Sequence, residues 1–329
     1  MFQISHSKIK SWRTCKRQAH YRYVERLEPR KKPKPLMLGS ILHSAMEERI
    51  EGGNPLEAIA VYEKEYGRLF REEQELYGDI IGESKSIISR YGDVYKKDPL
   101  KYLKIKGRRS EHPFEIKLAP DIILIGKLDS IVQTPKDGRV WAMEHKSKKT
   151  IPDEDERFFD IQTAMYTEFP AEFGIKKFDG VLWDYLRKKI PTVPELLKKG
   201  GLSQAKSIDT IPQVYMQAIL DNNLDPAEYA EILRELEGRE KNFFKRYYMP
   251  RNKVLGKRLV EEAVITGRDM AKNLGTDNTR TIDRHCNWCS FKLLCRTELL
   301  GLDADFVRKH EYKPREKIIE EDTEKGTDE

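Results

Sequence analysis

The stretch Asp121-Ile-Ile-Leu-Ile-Gly-Lys-Leu-Asp-Ser-Ile-Val132, then Pro135-Lys-Asp-Gly138, then Arg139-Val-Trp-Ala-Met-Glu-His-Lys146 decides the fold. Its arms are rich in β-branched and aliphatic residues, and the Pro/Asp/Gly cluster between them is turn chemistry. A β-hairpin with a four-residue loop follows. Pairing Pro135 with Gly138 and counting outward sets Asp129 opposite Glu144, about 5 Å apart at Cβ, where like charges destabilise a ladder. Alternation along the strand puts Lys146 on the face of Glu144 and turns His145 to the other side. Two opposed carboxylates with a lysine beside them point to a divalent-metal site. A surface salt bridge between Lys146 and its neighbours gives the same pattern and is worth little energetically.

The chain has 329 residues, 35% charged and 38% hydrophobic, with a formal net charge of +6. That length suits one elaborated domain or a domain with a large insertion. No apolar run approaches the roughly 20 residues that span a bilayer, and the N-terminus lacks a signal-peptide core. The expectation is a cytoplasmic protein without a membrane partner. The last eighteen residues, from Tyr312 onward, carry seven acidic and four basic side chains, so the body is more positive than the whole. An anionic partner such as nucleic acid fits that balance.

Three of the four cysteines fall in Cys286-Asn-Trp-Cys289-Ser-Phe-Lys-Leu-Leu-Cys295, and the fourth is Cys15. In a reducing compartment such clustering argues for a metal or cluster rather than disulfides. Structural zinc sites usually pair two C-x₂-C halves or use histidine. A C-x₂-C-x₅-C run with one distant cysteine suits a Cys₄ iron–sulfur cluster better, and zinc stays open as the alternative. Either would clasp the two ends of the chain together.

Ser5 to Tyr23 reads as a helix capped by Ser5 or Ser7, dense in basic residues and interleaved with Trp12, Tyr21 and Tyr23. Those aromatics suit unstacked bases or, equally, a core behind a solvated basic face. Arg30 to Pro35 reads as an extended basic linker. Leu38 to Ile50 is a helix ended by Gly52-Gly53, with His43 beside its apolar Leu42/Met46 side, a place where a histidine is more often structural than a ligand. Helices follow over Pro55 to Tyr77 and Ser84 to Lys97, then a strand over Glu111 to Leu118 that completes a three-stranded meander. Pro152 to Phe169 predicts one helix with an acidic first turn and a buried stripe of Phe158, Ile161 and Met165; Gln162 and Tyr166 share the adjoining face. Phe178 to Leu186 is a strand, and strand–helix–strand predicts a right-handed crossover beside the strand of Glu144. The fold class is therefore α/β, a mixed sheet flanked by helices. Residues 187–281 read as a mostly helical insertion, and 311–329 as a disordered acidic tail.

Gly39-x₃-His43, Gly126-x₂-Asp129, Glu144-x-Lys146 and Gln162-x₃-Tyr166, in that order, resemble the PD-(D/E)XK nucleases of the RecB-like branch. The split cysteine pattern resembles the branch's iron–sulfur members: AddB-type subunits, CRISPR-associated nucleases and phage exonucleases. Trp183 to Pro191 and the lobe after it look most like the phage group. The resemblance implies a restriction-endonuclease-like domain over residues 1–310. His43, Asp129, Glu144 and the His145 backbone carbonyl would bind Mg²⁺ or Mn²⁺. Lys146 would position the attacking water, Gln162 and Tyr166 would contact DNA and brace the site, and Cys15, Cys286, Cys289 and Cys295 would hold a 4Fe–4S cluster. The implied activity is a DNA exonuclease acting at free, single-stranded ends in phage or bacterial recombination, repair or degradation, alone or with a helicase partner. A flap or junction endonuclease and a non-catalytic DNA-binding assembly factor are the rival expectations.

Overall fold

The structure, a computed structural model, describes residues 1–159 and 162–315. Nine strands occur among them: β1 (Phe2–Ile4), β2 (Leu27–Pro29), β3 (Lys101–Tyr102), β4 (Ser110–Ala119), β5 (Ile122–Gln133), β6 (Val140–Lys148), β7 (Gly180–Arg187), β8 (Phe244–Pro250) and β9 (Tyr312–Pro314). The α-helices begin with α1 (His6–Thr14), α2 (Lys16–Ala19), α3 (Lys34–Glu51), α4 (Pro55–Tyr66), α5 (Arg71–Tyr77) and α6 (Ile80–Val94). The crossover carries α7 (Glu154–Phe158) and α8 (Gln162–Tyr166), and α9 (Pro212–Asp221), α10 (Ala230–Leu236), α11 (Lys253–Asn273), α12 (Lys292–Leu299) and α13 (Ala304–Glu311) follow.

The centre is β5. Its run of β-branched and aliphatic residues, Ile122 to Ile125 and Ile131 to Val132, suits a strand covered on both faces. Along one edge it pairs antiparallel with β4 and β3, along the other parallel with β1 and antiparallel with β6; the sheet continues through β7 to β8. The hairpin has the expected register, Gln133 with Val140 through Ser130 with Met143. The Thr134 N–H donates to the Arg139 carbonyl at 3.0 Å, so Pro135 to Gly138 is the loop. The crossover is also as expected: β7 lies parallel to β6, with Glu144 beside Trp183. Gly126 is required by packing, because a Cβ there would stand 2.7 Å from the tip of the Phe114 ring.

Helices cover both faces. On one, α3, α4 and α6 bury Leu38, Ile41, Leu42, Met46, Ile87 and Tyr91 with Leu186 and Phe244. On the other, Ile4, Ile9, Ala164, Met165, Leu259 and Ala263 pack against Leu124 and Ala142.

Several expectations change. The first helix breaks at Cys15, whose backbone is extended between α1 and α2. Trp12 and Tyr21 are buried, donating to Asp269 and Glu298, so they are core and not a base-stacking surface. The extended linker is shorter than expected: α3 starts at Lys34, and Pro35 sits in its first turn, where a missing N–H costs nothing. The crossover is two short helices, because α7 buries none of its residues and nothing holds a longer helix to the sheet there. Phe158 is exposed, Met165 is buried, and Ile161 lies outside the described residues. Within the stretch read as helical lobe, Phe244–Pro250 is a sheet strand antiparallel to β7, and α11 packs against β1 and β5. At the C-terminal end Tyr312–Pro314 pairs with β2 and Tyr312 is buried; residues 316–329 lie outside the described residues.

Candidate active site

The β5–β6 ladder ends at Ser130 and Met143, one step short of Asp129 and Glu144. There the Asp129 Oδ2 accepts from the His145 backbone N–H at 2.8 Å. A side-chain carboxylate thus takes the place of a ladder carbonyl, and the strands part around the two acids. On the outer side of β5, Ser110 pairs with Ser130 and His112 with Leu128, so Glu111 lies opposite Asp129. Three adjacent strands thereby present a row of carboxylates: Glu111, Asp129, Glu144.

α3 supplies the histidine. Gly39 lets this helix approach the sheet, because a Cβ there would meet the Lys188 ammonium at 3.1 Å and the Ser147 hydroxyl at 3.3 Å. One turn on, His43 Nε2 bonds Glu111 Oε1 at 2.6 Å. Ligand atoms of His43, Glu111 and Asp129 all lie within 4.8 Å of one another. The hydrogen bond to Glu111, with the charges of Asp129 and Glu144 behind it, raises the His43 pKa to about 9. Burial would push Glu111 up, yet His43 and Lys127 hold its carboxyl below the usual range. Two hard oxygen donors suit Mg²⁺ or Mn²⁺, and the imidazole is tolerated on Mn²⁺.

Beside the acids, Lys146 Nζ donates to Glu144 Oε1 at 2.7 Å and to Gln162 Oε1 at 2.9 Å. Glu144 is buried and Lys146 half-buried, so the ammonium is held in place and not swept by solvent. Tyr166 lies one turn beyond Gln162, buried, its ring 4.6 Å from that of Phe114. It thus packs on the ring that Gly126 accommodates, beneath the strands that carry Glu111 and Asp129.

His145 turns to the opposite face, as alternation demands. Its Nδ1 lies 2.9 Å from Asp184 Oδ2, which also accepts from the Tyr91 hydroxyl at 2.5 Å. Arg246 reaches Asp184 Oδ1 at 3.2 Å and clamps Asp98 with bonds of 2.9 and 2.8 Å. Burial would raise the pKa of Asp184, but Arg246, His145 and Tyr91 together hold it low. This buried network fixes the strand segment between Glu144 and Lys146 from behind.

Reading the sequence missed two parts of this arrangement. Glu111 needed the register of β4, and its left-handed backbone (φ 49°) is the kind of strain that collects at functional positions. The Asp184–Arg246 pair needed β8 to be recognised as a strand.

At the far end, Cys15, Cys286, Cys289 and Cys295 all line one apolar cavity of about 170 Å³. None forms a disulfide. Cys15, at the break, and Arg17 and Gln18 of α2 line this cavity, and the Arg280 Nε–H donates to Cys295 Sγ at 3.3 Å. Burial raises the Cys289 thiol, and the neighbouring sulfurs push it the same way. Glu298 binds the flanks, accepting from Arg17, Arg280 and Tyr21 and pairing with Arg308.

The model of the PD-(D/E)XK nuclease superfamily matches residues 3–296. The chain belongs to that superfamily, and the class of activity that membership implies is a nuclease. A search of the curated proteins returned no match.

Proposed function

We propose that the protein is an Mg²⁺- or Mn²⁺-dependent DNA exonuclease of the RecB-like branch, hydrolysing phosphodiester bonds from free, single-stranded ends. The observation that carries this reading is the meeting of His43, Glu111 and Asp129 beside the Glu144–Lys146–Gln162 chain. His43, Asp129, Glu144 and the His145 carbonyl are the proposed metal ligands, and Glu111 joins them. A bound divalent ion supplies Lewis-acid activation of water and neutralises phosphate charge.

The chain's own groups do the rest. His43 would hold the ion through its neutral imidazole. Lys146, held by Glu144 and Gln162, orients the attacking water and offsets the negative charge that develops on phosphate. The water oxygen bonds to phosphorus as the bond to the leaving sugar oxygen breaks; a proton of the water passes to solvent, and the leaving oxygen takes one up from solvent. Tyr166 supports the site from beneath through Phe114.

The four cysteines are the proposed ligands of a 4Fe–4S cluster with a structural role. Their joint lining of one apolar cavity of about 170 Å³ supports a shared bound group, and the C-x₂-C-x₅-C spacing favours the cluster over zinc. No helix among the described residues is long and apolar enough to cross a membrane, which is compatible with work in a bacterial cytoplasm on recombination, repair or DNA degradation, with or without a helicase partner.

The test is digestion of 5′- and 3′-labelled single- and double-stranded DNA with Mg²⁺, Mn²⁺ or excess chelator, alongside a covalently closed single-stranded circle. Metal-dependent loss of linear DNA with the circle intact is expected. Cleavage of the circle would make it an endonuclease; full activity in chelator would remove the metal mechanism.

A further inference from the structure

We propose that the pocket between α1 and the crossover is the path of a single DNA strand, and that Phe159 stacks on one of its unpaired bases. This rests on the nuclease reading and specifies how that site selects its substrate. The pocket encloses about 740 Å³ and is lined by Lys10, Arg13, Lys146, Lys148, Phe159 and Gln162, among others. Lys146 and Gln162 belong to the candidate active site, so the pocket opens directly onto it.

Its walls combine the two features that bind single strands: cations that follow the phosphates and an aromatic face for the bases. Lys10 is exposed on α1. Arg13 is held as a fixed cation by the Thr266 hydroxyl, at 2.7 and 3.0 Å, and by Glu262. Lys148 meets Glu156, an acid on the same wall, at 3.3 Å in a half-exposed pair; such a pair costs little to open for a phosphate.

Phe159 is 74% exposed and Phe158 47%, their rings 5.3 Å apart and nearly perpendicular. Phe158 ends α7, a helix that buries none of its residues, and Phe159 follows directly after it. At the rim of a cationic pocket beside a phosphodiesterase site, Phe159 offers a stacking face. Bases in a duplex are already stacked on their neighbours, so such a face favours an unpaired strand.

The experiment compares the full-length protein with Phe159→Ala, Phe159→Trp and Lys10→Gln. Binding of a labelled single-stranded oligonucleotide and of a blunt duplex is measured in chelator, and cleavage is measured with Mg²⁺. Phe159→Ala should lower the ratio of single-strand to duplex affinity about ten-fold, and Phe159→Trp should restore it. An abasic residue walked along the oligonucleotide should weaken wild type at one position and leave Phe159→Ala indifferent there. Lys10→Gln should shallow the slope of log K against log salt by about 0.7. Equal single-strand to duplex ratios in wild type and Phe159→Ala, or an abasic scan unchanged by the substitution, would overturn the proposal. Asp129→Asn separates the two readings: if it is inactive while Phe159→Ala matches wild type, only the strand path fails. If Asp129→Asn cuts normally, the nuclease site itself is wrong.

Discussion

Asp129 accepts the His145 backbone N–H through its side chain, at 2.8 Å, where the ladder would have supplied a carbonyl. One carboxylate therefore has two duties, closing the end of a hairpin and facing His43 and Glu111. The two can be separated by substitution. Asp129→Asn keeps an oxygen for the N–H and should leave thermal stability nearly unchanged while abolishing cleavage, a loss of about 10²-fold or more. Asp129→Ala should also lose activity and in addition cost about 1–2 kcal/mol, because a half-buried donor is left unmet. Urea unfolding of the two variants checks the difference.

Lys146→Ala and Glu144→Gln should reduce cleavage by a similar factor while DNA binding persists, since Lys10, Arg13 and Lys148 still line the pocket. A binding assay run beside the digestion checks this. Full activity in Lys146→Ala would exclude its water-positioning role, and full activity in Glu144→Gln would exclude Glu144 as a metal ligand.

Glu111 gives a sharper prediction because it raises the His43 pKa to about 9. In Glu111→Gln the dominant cause is gone, so the His43 ring should titrate nearer the ordinary histidine value of about 6.5. An NMR titration of the metal-free protein reads this directly. An unchanged pKa would place the cause elsewhere.

Behind the site, Asp184 and Arg246 form a buried pair. Removing one partner leaves the other charge uncompensated, so Asp184→Ala should destabilise the protein by about 3–5 kcal/mol. Denaturant unfolding checks the size; a cost under about 1 kcal/mol would show that the network is dispensable.

The clasp should be acid-sensitive. Burial would raise the pKa of Glu298, but Tyr21, Arg17 and Arg308 hold it below the usual value. A carboxylate with a depressed folded pKa contributes stability that is fully present above its unfolded pKa, about 4.3, and is lost as pH falls through the lower folded value. Wild type should therefore lose stability faster than Glu298→Gln as the pH drops below about 4. Melting temperatures recorded from pH 6 to pH 3 test this, and parallel curves would remove Glu298 as the cause.

How much was legible depended on whether a contact is local. The Asp129–Glu144 opposition needs only a four-residue loop, and counting across it succeeds. The same count across Pro120-Asp121 fails. Ala119 pairs with Ile122, which sets Glu111 opposite Ser130, but the register shifts between Lys117 and Ala119 and moves Glu111 onto Asp129. A bulge of this kind leaves no mark in residue type. The helix break at Phe159 and the strand at Phe244–Pro250 were hidden for a related reason: basic and aromatic residues suit a helix face, a strand or a surface equally, and their neighbours in space decide.

The sequence by itself determined the α/β order, the hairpin, the crossover, and which face of β6 carries Glu144 and Lys146, because period-two alternation and turn chemistry act over a few residues. Tertiary structure alone decided that Glu111 completes the acidic row, that His43 reaches it from α3, and that Asp184 and Arg246 back it from the other face. Those contacts join residues far apart in the chain, and their geometry is set by a register shift, a close helix approach at Gly39 and a buried charge network, none of which is encoded in any single segment.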